Sequence, residues 1–166
     1  SHTTFTTANS YLQLGVSDYN SSGGVYAIGF GYTGGATHSP AYIGLQQTET
    51  GSYTKGDLVF RTRSTSTDVE PPERMRIDSS GIVLVGTDSV GYSGVDLTVG
   101  DTADSQNGLA IQTSTTGNGY LLFGDGSGAA AYRGQINYKH GDDYMAFHTA
   151  NAERMRIDSS GTTILS

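Results

Sequence analysis

Glu73-Arg74-Met75-Arg76-Ile77-Asp78-Ser79-Ser80-Gly81 occurs twice in this chain, the second time letter for letter as Glu153-Arg154-Met155-Arg156-Ile157-Asp158-Ser159-Ser160-Gly161, 80 residues on. An identical nonapeptide marks a duplicated module, and a repeat governs how everything around it is read. Along an extended chain, side chains alternate between faces. Glu73, Met75 and Ile77 then fall on one side, and Arg74, Arg76 and Asp78 on the other. The pattern predicts a strand with Met75 and Ile77 buried and a polar ladder opposite. Ser79-Ser80-Gly81 turns the chain, with the Asp78 carboxylate placed to accept from backbone N–H groups two residues on. Ile82-Val83-Leu84-Val85 returns, so the expected unit is a hairpin. Arg154, Met155, Arg156, Ile157 and Asp158 take the same places in the second copy, with Thr162-Thr163-Ile164-Leu165 returning. The sequence stops there, which reads as a boundary or cleavage point, and Ser1-His2 reads as the remnant of a tag linker.

Upstream, more of the module returns. Asp57-Leu58-Val59-Phe60-Arg61-Thr62 matches Asp143 to Thr149 on its Phe and Thr, and Ile28-Gly29-Phe30-Gly31 matches Leu121-Leu122-Phe123-Gly124. Between them, Ala41-Tyr42-Ile43-Gly44-Leu45 aligns with Ala131-Tyr132-Arg133-Gly134-Gln135. The first copy carries two insertions, Gln46 to Lys55 and Arg63 to Pro72, both rich in Thr and Ser with Gly or Pro, as surface loops are. The modules are placed at residues 1–86 and 87–166. Before Val25 the register stays open.

No stretch holds apolar residues at helical spacing over 11 or more positions, whereas strands are plentiful. Leu12, Leu14 and Val16 alternate with polar neighbours, as do Val95, Leu97 and Val99. Leu58-Val59-Phe60, Ile82 to Val85 and Tyr120 to Phe123 are continuous apolar runs, suiting strands covered on both faces. Turn clusters separate them, among them 18–24 and 124–128, and many of the 24 Gly serve such turns. The expected fold is all-β, two repeated antiparallel modules resembling a β-sandwich or β-prism.

Leu, Ile, Val and Phe together make up 32 of the 166 residues, a thin supply for a core. Eleven Tyr and clear alternation argue against disorder. The resolution expected is a core partly shared between chains, since small modules commonly gain stability by association. A net charge of -7 argues against nucleic acid, which wants a basic face. No Cys is present, so disulfides and thiolate metal sites are excluded. No apolar run approaches the roughly 18 residues of a membrane span.

The stretch Tyr132-Arg133-Gly134-Gln135-Ile136-Asn137-Tyr138-Lys139-His140, then Asp143 to Thr149, then Glu153 to Gly161, resembles the repeat region of phage tail fibres and related virion appendages. The likeness covers about 40 residues of the second copy and, more loosely, the matching part of the first. It implies an elongated homotrimer on the virion, outside the host cell, serving host attachment. It also implies Met75, Ile77, Met155 and Ile157 around a shared axis, with Arg74 and Arg76 pairing to Asp78 or Glu73 of a neighbouring chain. Many members end in a self-cleaving chaperone domain, which nothing here matches.

Chemistry finds little purchase. No nucleophile elbow is available without a helix, and Asp142 and Asp143 are adjacent and read as a turn. His140 and His148 are a conceivable zinc pair, and Asp101, Asp104 and Asp125 conceivable oxygen ligands for calcium. Solvated strand ends and turns are the better readings, so no catalytic residue, metal or cofactor is assigned. For recognition of a host glycan or protein receptor, aromatic platforms beside the insertions are the candidates: Tyr26, Tyr32, Tyr42 and Tyr53. The alternative places Tyr26 in the core. Two other functions stay open, a monomeric lectin-like sandwich and, less favoured, a surface-glycan depolymerase.

Overall fold

The computed structural model describes residues 24–31, 35–49 and 55–166. It is all-β and contains two sheets. The first holds β1 (Val25–Phe30), β2 (Ala41–Gln47), β3 (Gly56–Thr62), β4 (Glu73–Ile77), β5 (Val83–Val85) and β6 (Leu97–Val99), in that order. The second holds β7 (Asn118–Phe123), β8 (Gly134–Lys139), β9 (Tyr144–Thr149), β10 (Ala152–Ile157) and β11 (Thr163–Leu165), again with chain neighbours side by side. Each is an antiparallel meander, save that β6 joins β5 in parallel. A parallel partner needs a crossover, supplied here by residues 86–96. The chain divides into units at 1–108 and 109–166. β6 belongs to the first sheet. The candidate strand at Leu12 to Val16 lies outside the described residues.

Registers define the duplication more firmly than letters do. Phe60 pairs with Met75 and Phe147 with Met155; Ile43 pairs with Phe60 and Ile136 with Phe147. Ile43 therefore corresponds to Ile136, and the alignment of Ala41 with Ala131 is three residues out of step. Ala131 and Tyr132 lie instead in a 3-10 turn, Gly128–Tyr132. The match of Ile28 with Leu121 holds, since each faces its own Ile across the ladder.

The nonapeptide forms the expected hairpin. Asp78 Oδ1 accepts from the N–H groups of Ser80 and Ile82, both at 2.9 Å, and Asp158 does the same for Ser160 and Thr162. Strict alternation fails at one point. The β3–β4 register slips between Phe60 and Arg61, so that Arg61 faces Glu73, and the same slip recurs between Glu153 and Met155. Arg74 and Arg154 become the extra residues of a bulge. Glu73 thereby joins Arg76 on the polar face instead of Met75 and Ile77.

That polar face is the closed one. Across the first sheet, Gly44, Val59, Arg76, Leu84 and Thr98 stand in one row. Val59 and Leu84 are almost wholly buried there, and Ala146 occupies the place of Val59 in the second sheet. These three are the buried hydrophobic residues among those described. The opposite face carries Ile28, Phe30, Ile43, Leu45, Leu58 and Leu97, each between 38% and 52% exposed. In the second sheet the apolar face holds Leu121, Phe123, Met145 and Ile157, likewise exposed. The expectation that the apolar runs are covered on both faces is corrected: Tyr120 to Phe123 is exposed at every residue. Each run lies in a single sheet whose apolar side has little packed on it.

Tight turns close the second sheet. Ala150 and Asn151 join β9 to β10 with φ of 51° and 63°, the two left-handed residues a type I′ hairpin needs. A Cβ in that region is strained for alanine. Converting Ala150-Asn151 to Asn-Gly is therefore expected to raise stability by about 1 kcal/mol, read as a higher urea midpoint at unchanged slope.

Candidate functional site

The insertions occupy the β2–β3 connection, residues 48–55, and the β3–β4 connection, residues 63–72. The second sheet makes the same joins with residues 140–143 and 150–151. Consecutive hairpins of a meander turn at alternate ends, so the two connections leave the first sheet at opposite ends. Gln46 and Gln47 belong to β2 and not to the loop; Gln46 accepts from Arg61 at 3.4 Å, and Gln47 is buried. The base of the first loop is closed by Thr48 N–H to the Lys55 carbonyl at 3.1 Å and by an exposed Lys55–Glu49 ion pair. Tyr53 in this loop, like Tyr32, lies outside the described residues.

The second loop is anchored throughout its base. Asp68 accepts from the backbone N–H groups of Thr37 at 2.6 Å and His38 at 3.0 Å, both in the β1–β2 connection. Arg63, its side chain 4% exposed, donates to Asp68 at 3.2 Å and to the His38 carbonyl at 2.7 Å. Pro71 is buried beneath, and Arg61 donates to Glu70 at 2.6 Å. Ser64, Thr65, Ser66 and Thr67 stand exposed above this frame. Thr65 and Thr67 join hydroxyls at 2.9 Å. The result is a run of hydroxyls held on a fixed base, suited to polar contact with a partner. Sequence reasoning identified the loop but not its clamp, because Asp68 acts on Thr37 and His38, about 30 residues away. Only the pairing of Arg63 with Asp68 inside one Ser/Thr-rich insertion hinted at it.

The amides of Thr37 and then His38 hold the Asp68 carboxyl below the usual aspartate range. A carboxylate with a depressed folded pKa contributes its stabilisation above the unfolded value, and loses it as pH falls through the folded one. Amide exchange at Thr37 and His38 is thus expected to stay slow down to about pH 4 and to accelerate, after correction for intrinsic rates, below it. Unchanged protection in an Asp68→Asn variant would contradict the clamp.

Tyr26 and Tyr42 are not brought together. Tyr26 faces Leu45 on the apolar side, whereas Tyr42 faces Gly29 and Arg61 on the polar side. The Tyr42 ring folds across Gly29, where an added Cβ would come within 3.2 Å of it, and its hydroxyl accepts from Ser39 N–H at 2.6 Å. Tyr42 thus secures the β1–β2 connection.

The repeated arginines find partners within their own chain. Arg76 donates to both oxygens of Glu73, at 2.5 and 2.7 Å, and to Asp57 at 2.8 Å. The hydrogen-bonded Glu73 carboxylate raises its pKa. Arg156 holds Glu153 in the same fork at 2.6 and 2.7 Å, but Tyr144 replaces Asp57, its ring centroid 4.3 Å from the guanidinium carbon. Asp78 is engaged in its own turn. Arg74 donates instead to the Thr62 carbonyl, and Arg154 to the Thr149 hydroxyl.

His140 packs edge-on against Tyr138, with ring centroids 4.9 Å apart. His148 lies five residues along β9 from the position facing His140, roughly 16 Å away, too far for one metal ion. Among the described residues, no three His, Asp or Glu side chains converge to hold one. No helix among them is long and apolar enough to cross a membrane. Comparison with protein-family models, with curated proteins and with solved structures gives no match.

Proposed function

We propose that the chain is a segment of a phage tail fibre or related virion appendage, a homotrimer that presents a host-attachment surface outside the cell. The observation that carries this reading is the twice-built sheet whose apolar face remains exposed in a single chain. On the first sheet alone, Val85 and Val99 join the six residues named above, and these eight at about two-fifths exposure leave on the order of 600 Å² of apolar surface, the upper end for a monomer. That area approaches the about 800 Å² per partner of a stable interface. Covering it with further copies puts Met75, Ile77, Met155 and Ile157 inside, and leaves the arginine face and the loops outside.

The loop of residues 63–72, with the connection at 48–55, supplies the recognition surface, contacting a surface glycan or protein receptor through the hydroxyls of the first and Tyr53 of the second. Attachment then works by multivalent contact without turnover, so weak sites on three chains sum to firm binding. Light scattering at several concentrations tests the assembly. A constant mass of three times 17.4 kDa is expected. A monomer at every concentration would overturn it in favour of a lectin-like module. For recognition, replacing residues 64–67 with Gly-Ser is expected to abolish binding to host cells with the trimer intact, and undiminished binding would sink that half.

A further inference from the structure

The two copies differ at one place on the polar face. Because Ile43 corresponds to Ile136 and Ile28 to Leu121, Tyr42 corresponds to Gln135, Gly29 to Leu122 and Ala27 to Tyr120. In the first sheet this place is plugged from within, the Tyr42 ring lying across Gly29. In the second sheet Gln135 has no ring to fill it, and Leu122 stands where Gly29 leaves room. What remains is an open cavity of about 310 Å³, lined by Tyr120, Leu122, Tyr132 and Gln135. All four belong to the second unit.

Tyr120 and Leu122 share the polar face of β7 by alternation, and Gln135 faces Leu122 from β8. Tyr132 comes from the 3-10 turn ahead of β8. Gln135 Nε2 donates to the Tyr132 carbonyl at 3.0 Å, which holds that turn against the sheet. Two tyrosines, 42% and 43% exposed, therefore flank one opening. Beside them are two buried polar atoms without hydrogen-bond partners among the described residues, Oδ1 of Asn137 and Nε2 of His148. Asn137, 9% exposed, stands directly across from Tyr120, and His148 across from Gln135. Such unmet atoms are costly and call for a partner. In the first copy their places are taken by Gly44, which has no side chain, and by Arg61, which donates to Glu70.

We propose that this cavity binds a neutral saccharide. A sugar ring offers C–H groups on its faces, which suit the tyrosine rings and Leu122, and hydroxyls at its edge, which suit the phenols and the Gln135 amide. Hydroxyls both donate and accept, so they also match the Asn137 oxygen and the His148 nitrogen once the exposed Tyr120 side chain turns aside. A purely aromatic ligand would leave those two atoms unmet. No charged side chain is among the lining residues, which favours a neutral sugar over an acidic one. The volume is at the low end of small-molecule sites, enough for a single ring and its substituents. The site shares no residue with the loop of residues 63–72 and needs no second copy, so it stands or falls separately from the attachment reading.

Amide NMR spectra of the full chain, titrated in turn with glucose, galactose, mannose, fucose and N-acetylglucosamine, test the site. At least one of these sugars is expected to shift the backbone amides at 120 and 132 in a saturable way. Tyr120→Ala is expected to weaken that binding about tenfold. Tyr92→Ala, which removes an exposed tyrosine of the first unit, is expected to leave it unchanged. Leu122→Gly together with Gln135→Tyr rebuilds the plug of the first copy, and is expected to abolish binding with the rest of the spectrum intact. No saturable shift with any of the sugars overturns the proposal, as does a shift that survives both the Tyr120 variant and the rebuilt plug. Shifts with phenol and with none of the sugars overturn it in favour of a seat for an aromatic side chain.

Discussion

Arg76→Met is expected to destabilise the protein by about 3 kcal/mol, whereas Arg156→Met, at the identical position of the repeat, loses much less. The difference lies in what each arginine leaves behind. Glu73 and Asp57 have side chains 15% and 6% exposed, and both discharge onto Arg76. Removing the cation leaves two part-buried carboxylates without a counter-charge, and the row of Val59 and Leu84 without its cover. Glu153 is 19% exposed beside an Arg156 that is itself 35% exposed, and the second partner is an uncharged ring. Chemical denaturation of the two variants separates them. Neutralising the first site as Asp57→Asn, Glu73→Gln and Arg76→Met together is expected to regain most of the loss. Equal losses for the two single variants would show that the carboxylate pair, not the shared strand, had been misjudged.

Leu58→Lys is expected to convert the proposed trimer to a monomer while leaving the far-ultraviolet spectrum unchanged. Leu58 stands between Leu45 and Ile77 on the apolar face and is 40% exposed in the single chain, so a lysine there can keep its ammonium in water. Within an assembly, the same charge is buried without a partner once per chain, a penalty of several kcal/mol each time. The control is Thr62→Lys, on the same face but at the strand end and exposed. It is expected to leave the mass unaltered. A trimer that survives Leu58→Lys would place the shared surface elsewhere.

Most of the architecture was legible in the letters because its causes are local. Alternation, the Asp78 turn and the two insertions each depend on residues within a few positions of one another. The bulge at Arg74 was not legible, because it arises from the register against β3, and it decides that Glu73 serves Arg76. The misplaced match of Ala41 with Ala131 has a similar origin. An Ala-Tyr pair followed by Gly reads alike in a strand and in a 3-10 turn, and only the Ile136–Phe147 pairing distinguishes them. The parallel seating of β6 and the openness of the apolar faces depend on what covers a surface, which hydrophobic pattern alone does not encode. Of the recognition candidates, Tyr42 was visible as a tyrosine near a loop, but its lock onto Gly29 and Ser39 is tertiary.

The same hairpin is closed by two residues between β9 and β10 and by ten between β3 and β4. In polymer terms, lengthening a closed segment fivefold raises the entropic cost of bringing its ends together by only about 1.4 kcal/mol. Clamps such as Arg63–Asp68 are of a size to offset a penalty that small. Inheritance can therefore lengthen, shorten or rewrite a hairpin tip with little disturbance to the sheet beneath it. Variation is cheap at the tips and costly in the row through Val59, Arg76 and Leu84, so lineages of this module should diverge at their ends and keep their centres.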